Sequence, residues 1–245
     1  MIDIPVDLSS AVSSGRLLLF VGAGLSKSAG LPSFAELVDD MAALVNYDPD
    51  VFRAYSDDPR VLAEYMVNHC DGVGKLRSVL DRKWHDHAGR IKDSKVHRLI
   101  TQLPVPLIYT TNYDTLLECS HDEHGVPYHL VQSAVHLPIP LGSDRVIVKF
   151  HGDFQSDESI VLTEESYFAR LDFESPLDLL LRGHLLNRVV LFLGYSLSDV
   201  NIRYMLWRLQ KIWSNHKGRA VQPKMYLFTT TKNAVRDDVL ASRGV

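Results

Sequence analysis

Four clusters in this sequence place glycine beside hydroxyl, amide or imidazole groups, each directly after an apolar run. The first is Gly22-Ala23-Gly24-Leu25-Ser26, which follows Leu17-Leu18-Leu19-Phe20-Val21. Its glycines let a backbone turn sharply and approach a ligand with no Cβ in the way. Ser26 and Ser28 stand where a helix would open, and a helix N-terminus offers phosphate both N–H groups and a favourable dipole. Gly22, Ala23, Gly24 and Ser26 are therefore candidates for a diphosphate cradle. The spacing matches neither common glycine fingerprint. Gly30 comes too late for G-x-G-x-x-G, and Lys27 follows Ser26 rather than a glycine, so there is no G-K-[ST]. A plain strand-to-helix turn would carry the same residues.

The second cluster, Thr110-Thr111-Asn112-Tyr113-Asp114, crowds hydrogen-bonding groups before a helical pattern. Helix capping accounts for Thr111 or Asn112, but not for the whole set. The third, Lys149-Phe150-His151-Gly152-Asp153, puts an imidazole at a strand tip, where it can act as a base near neutral pH. The fourth, Gly194-Tyr195-Ser196-Leu197-Ser198-Asp199, again joins glycine and hydroxyls. Together they describe a phosphate-binding turn and a general base at strand ends, and four independent helix caps are a poor account of them. Two further histidine stretches, Trp84-His85-Asp86-His87 and His121-Asp122-Glu123-His124, read as exposed helix ends. Neither repeats a known metal-ligand spacing with partners elsewhere, so no metal site is expected.

Each cluster needs a strand to hold it. The apolar runs at 17–21, 106–109, 146–150, 189–193 and 225–228 are too short for helices and suit buried parallel strands. Helical patterns lie at 6–15 (capped by Asp7 or Ser9 and closed by Gly15), 33–45, 113–119, 164–171, 175–186 and 198–212. The alternation predicts an α/β, Rossmann-like, doubly wound and mostly parallel sheet, with ligands outside the carboxyl ends of its strands. Residues 49–100 lack strand-like runs and read as a small inserted helical module, either a lid over the site or a spacer. The expected organisation is one domain over 1–245, with its core in 1–48 and 101–245. Along 198–212, Tyr204, Leu206, Trp207 and Leu209 are expected in the core, while Arg203, Arg208 and Lys211 form a solvated face or a subunit contact. The closing Leu240–Val245 ends a helix at a glycine where a strand would be due, so a chain cut before a further region is as good an expectation as a frayed end.

The chain of 245 residues, 46% hydrophobic, can bury a full core. Its net charge of −4 gives no electrostatic grip on nucleic acid or acidic membranes. Cys70 and Cys119 make neither a zinc site nor a disulfide framework. No secretory leader or membrane span is visible, and a cytoplasmic protein is expected.

In order, these clusters resemble the signature of the sirtuins: Gly22-Ala23-Gly24-Leu25-Ser26, Gly30-Leu31-Pro32, Thr110 through Asp114, His151-Gly152, and Gly194-Tyr195-Ser196. The likeness is closer to bacterial sirtuin-like defence proteins, through Leu162-Thr163-Glu164-Glu165-Ser166-Tyr167 and Phe192 through Asp199. Residues 49–100 and the C-terminus match least. Sirtuin deacylases carry a four-cysteine zinc ribbon, which two separated cysteines cannot supply. They also place an aspartate and an arginine around the phenylalanine after G-[IL]-P, where Ser33, Phe34 and Ala35 stand here.

The resemblance implies an NAD hydrolase that splits the nicotinamide–ribose bond with water, as the regulated effector of a bacterial anti-phage, abortive-infection system. In that reading Asn112 and His151 are catalytic. Gly22, Ala23, Gly24 and Ser26 hold the diphosphate, Gly194 and Ser196 line the adenosine side, and Asp114 faces the carboxamide or the developing positive charge. NAD is the substrate and no metal is needed. The partner is a further copy of the chain or a sensor protein or domain, with no nucleic acid or membrane bound directly. A non-catalytic NAD or ADP-ribose sensor and an NAD-dependent deacylase are the alternatives.

Overall fold

In the middle of a parallel sheet both faces of a strand must be apolar. Leu17–Val21 meets that condition and forms β1, with all five residues buried. The computed structural model describes residues 3–84, 87–137, 144–172, 174–215 and 222–245, apart from the side chains of Ala35, His87, Ala88 and Asn215. Within them β1 is joined by β2 (Leu107–Thr110), β3 (Tyr128–Val131), β4 (Arg145–Lys149), β5 (Val189–Leu193) and β6 (Met225–Phe228). They form one sheet in the order β3-β4-β2-β1-β5-β6, and all five pairings are parallel. This is the expected doubly wound α/β class, with one strand more than the apolar runs announce. The addition, β3, is a half-buried edge whose Tyr-His-Leu-Val sequence lacks a continuous apolar run.

Alternate strand residues face opposite sides, and the core divides accordingly. Leu18 and Phe20 pack with Tyr109, Val148 and Phe192 against the helices Pro176–Asn187 and Val200–Asn215. Leu17, Leu19 and Val21 pack with Ile108 and Ile147 against Val6–Ser13, Lys95–Gln102 and Leu116–Glu123. Each fully buried side chain of this size stabilises the fold by about 1.5–3 kcal/mol. The first helix opens after Pro5 with no side-chain cap. Asp7 and Ser9, expected as caps, lie inside it because the fixed φ of proline starts the turn earlier.

Between β1 and β2 the chain runs through the helices Phe34–Leu44, Pro49–Ala54, Pro59–His69, Gly74–Trp84, His87–Lys92 and Lys95–Gln102. Phe52, Leu62, Met66, Leu76, Leu80 and Trp84 pack with Leu37 and Met41 and with Phe154, Ile160 and Leu162, which follow β4. The helical segment therefore rests beside the carboxyl ends of the strands. Among the described residues no helix is long and apolar enough to cross a membrane.

Candidate active site

Register lines up the four strand tips. Val21 pairs with Thr110 on one side and Leu193 on the other, and Thr110 pairs with Lys149. The chain leaves β1 for β2 and returns much later to β5 on the opposite side, so β1 marks the topological switch where a crevice opens. There the first and fourth clusters meet backbone to backbone. The Gly24 N–H donates to the Gly194 carbonyl at 2.8 Å, and the Gly22 N–H to the Leu193 carbonyl at 3.0 Å. A Cβ on Gly24 would lie 2.7 Å from Gly194 O, and one on Gly194, whose φ is +62°, would lie 2.6 Å from Leu25 N. These glycines let two turns touch each other. The N–H groups of Gly22 and Gly24, expected as diphosphate donors, are engaged inside the fold.

A cavity of about 590 Å³ opens at this point, within the range of small-molecule sites. Ala23, Gly24, Ser26, Asn112, Asp114, His151, Gly194 and Ser196 all line it, whereas Gly22 does not. The helical segment adds Asp58, Pro59, Arg60 and Trp84 to its wall.

Three of these residues form a chain of hydrogen bonds. Ser26 Oγ donates to Asp114 Oδ2 at 2.7 Å and accepts from Asn112 Nδ2 at 2.8 Å. Asp114 Oδ1 accepts from the Leu116 N–H at 3.1 Å. An ionised carboxylate only accepts, so the single Ser26 proton goes to Asp114, and the amide must turn its NH2 towards Ser26. That fixes Asn112 with Oδ1 left over, a buried acceptor with no partner among the described residues. The helix expected from residue 113 starts at Leu116, whose N–H is taken by Asp114 Oδ1 from the loop before it.

His151 is 2% exposed at the tip of β4. Burial pushes its pKa down from 6.5 to about 4, outweighing the opposing charge of Asp199. The ring is therefore neutral at pH 7. Gly152 beside it has φ +72°, and a Cβ there would lie 2.2 Å from Ser159 O. Only glycine lets the chain fold back so closely behind the imidazole.

A SIR2-like domain profile matches residues 106–245. The chain belongs to the SIR2-like domain family. It is 33% identical over 204 residues to an NAD(+) hydrolase ThsA of Enterococcus faecium, covering 81% of this chain and 41% of that protein. A second ThsA, from Bacillus cereus, is 28% identical over 218 residues, which is 87% of this chain and 44% of its own length. Defense-associated sirtuin 2 of Bacillus subtilis is 27% identical over 215 residues, 84% of this chain but 20% of that protein. The SIR2-like domain described here thus spans less than half the length of these relatives.

Sequence reasoning passed over several groups that shape the SIR2-like site. Lys149 is fully buried beneath the second cluster, where its ammonium donates to the carbonyls of Tyr113 and Asp114 and to Glu118 Oε1. Tyr167 and Asp199 line the cavity next to His151, and the Arg60 guanidinium lies 5.1 Å from the centre of the Tyr167 ring. Tyr167 and Asp199 fall within the motif matches, so their place in the site was readable there. Arg60 comes from the segment that matches least.

Two expectations are corrected away from the site. His121 is not an exposed helix end: it is fully buried, and its Nε2 accepts from Arg145 Nη1 at 2.8 Å. The other stretch, at 84–87, lies mostly outside the described residues. On the helix Val200–Asn215, Leu206 and Leu209 are in the core as expected, but Tyr204 and Trp207 are exposed and stack on each other. Stacking and the nearby Lys211 and Arg208 cations cover their faces instead of the core.

Proposed function

We propose that this SIR2-like domain is an NAD hydrolase, releasing nicotinamide and ADP-ribose. The observation that carries the reading is the meeting, in one cavity at the switch point, of a neutral buried imidazole and a fixed amide acceptor without a partner among the described residues. The bond from ribose C1′ to the nicotinamide nitrogen breaks and its electron pair leaves with nicotinamide. A water oxygen then bonds to C1′ of the oxocarbenium-like centre, and His151 takes the proton that water loses. Asn112 Oδ1 accepts from a ribose hydroxyl or from that water. The diphosphate lies beside Ala23, Gly24 and Ser26, with Gly194 and Ser196 towards adenosine. Asp114 also lines the cavity, facing the carboxamide or the developing positive charge, and its bond to Ser26 helps hold Asn112 through that hydroxyl. Base assistance of this kind is worth about 10²–10⁴-fold.

The names of the relatives, NAD(+) hydrolase and defense-associated sirtuin, support the activity and a role in defence, and the proposal extends this to an effector of anti-phage defence. In this reading the domain acts in the cytoplasm under the control of a sensor region or partner, or of self-assembly. The deciding experiment measures nicotinamide release from NAD by the full-length protein and by its His151→Ala variant, in cells carrying the neighbouring genes. Depletion of NAD that disappears in the variant is expected. NAD bound but never cleaved would move the reading to a sensor module, and acetyl-ADP-ribose formed with an acetylated peptide would move it to a deacylase.

A further inference from the structure

Asp199 stands just before the helix Val200–Asn215, and a helix cap needs one carboxylate oxygen. Oδ1 fills that role by accepting from the Ile202 N–H at 3.0 Å. Capping leaves Oδ2 unexplained. Oδ2 accepts from the Tyr167 hydroxyl at 3.2 Å and lies 3.5 Å from His151 Nε2. The Tyr167 ring meets the imidazole edge-on, with centroids 5.3 Å apart, so one tyrosine both packs the histidine and anchors the carboxylate beside it. Among the described residues Nε2 is buried without a hydrogen-bond partner, and the acid paired with it there is Asp199.

We propose that Asp199 is a positioning residue for His151, with its Oδ2 facing Nε2–H so that Nδ1 is the nitrogen that accepts the proton, and with Tyr167 holding that oxygen in place. The proposal rests on the reading of His151 as the base. During the step, water gives its proton to Nδ1, Nε2 keeps its own, and Asp199 stays ionised opposite the positive ring. The 3.5 Å contact then becomes charge-assisted, stabilising the ring at the moment its charge appears. The other charged groups acting on His151 are Arg170 and Asp178, which pair with each other and so largely offset one another. Around Asp199 stand the hydroxyls of Tyr113, Tyr167 and Tyr195 and the Arg60 guanidinium.

Nitrogen-15 NMR of the labelled His151 ring in the full-length protein at pH 7 tests this. The ring nitrogens are expected to report the Nε2-protonated tautomer in the wild type and a shift towards the other tautomer in Asp199→Asn, which can still cap the helix. Tyr167→Phe, which removes one hydroxyl, is expected to give a smaller shift in the same direction. In parallel, kcat for nicotinamide release falls by about 10²-fold in Asp199→Asn with KM within about threefold, and Asp199→Glu recovers part of the loss. An Nδ1-protonated wild type, or a tautomer population unchanged in Asp199→Asn, overturns the proposal. The tautomer decides it whether or not NAD is cleaved, so failure of the hydrolase reading is seen separately, in nicotinamide release.

Discussion

Ser26 and Asn112, 86 residues apart in the chain, meet at 2.8 Å through Oγ and Nδ2. The same hydroxyl holds Asp114 at 2.7 Å, so one buried serine sets the orientation of an amide and a carboxylate. Ser26→Ala leaves both without their partner. An unsatisfied buried polar group costs about 1–3 kcal/mol, so the variant is expected to melt several degrees lower. Nicotinamide release should fall about 10-fold or more as Asn112 loses its fixed orientation. Calorimetry and initial rates on the same sample check both, and a wild-type rate would show that the Asn112 orientation does not matter.

His151 has a folded pKa of about 4 against an ordinary 6.5. The unfolded chain takes up this proton near 6.5, while the folded chain resists until about 4. Stability is therefore lost as pH falls through that window, by about 3 kcal/mol from this residue. His184, pushed to about 4 mainly by burial beside Tyr109, acts in the same direction. Urea unfolding at a series of pH values should show a steeper acid loss in the wild type than in His151→Gln. The rate of NAD cleavage should hold steady from pH 7 to about 5 and fall only as the ring charges near 4. A rate that halves near pH 6.5 would mean the ring is not desolvated.

Much of this is legible in the sequence, for identifiable reasons. β1, β4 and β5 announce themselves because a central parallel strand must be apolar on both faces, and β3 does not because an edge strand need not be. Asn112 and His151 stand out because polar groups at strand tips are a local pattern. What the glycines do is not local. Gly24 reads as a phosphate turn until Gly194, 170 residues later, is seen against it, and no spacing within either cluster reveals that crossing. Lys149 hides for the same reason: a lysine closing an apolar strand looks like an exposed end until Glu118 is found beneath it.

The crossing of the two turns makes its own prediction. Gly194→Ala must hold φ near +62° and fit a methyl group 2.6 Å from Leu25 N, a backbone atom that cannot step aside. The left-handed conformation alone costs about 1–2 kcal/mol, and the clash adds to it. Gly15→Ala, at a similar φ of +65° but in open space, bears the conformational cost alone. The first variant is thus expected to be clearly less stable than the second in denaturant melts, and to weaken NAD binding by reshaping the cavity wall. Equal losses would mean that the turns can separate at little cost.

Lys149 and Glu118 form a buried pair at 3.0 Å, with the ammonium also bonded to the carbonyls of Tyr113 and Asp114. Burial raises the Glu118 pKa and Lys149 opposes it, so removing the lysine leaves an acid that takes up a proton more readily. Lys149→Met keeps the apolar stem but strands the carboxylate and loosens the loop that carries Asn112. Breaking a buried pair from one side typically costs about 3–5 kcal/mol. Adding Glu118→Gln removes one of the two buried carboxylates beside the lysine, the other being Asp153 at 3.7 Å, so the double variant is expected to fall short of the summed single losses by about 1–3 kcal/mol. Because the bonds to the Tyr113 and Asp114 carbonyls stay broken, the double variant should regain stability without regaining the rate of nicotinamide release. Additive stability losses would show that the two charges are separately solvated, and a rate restored along with stability would show that Lys149 does not hold the Asn112 loop.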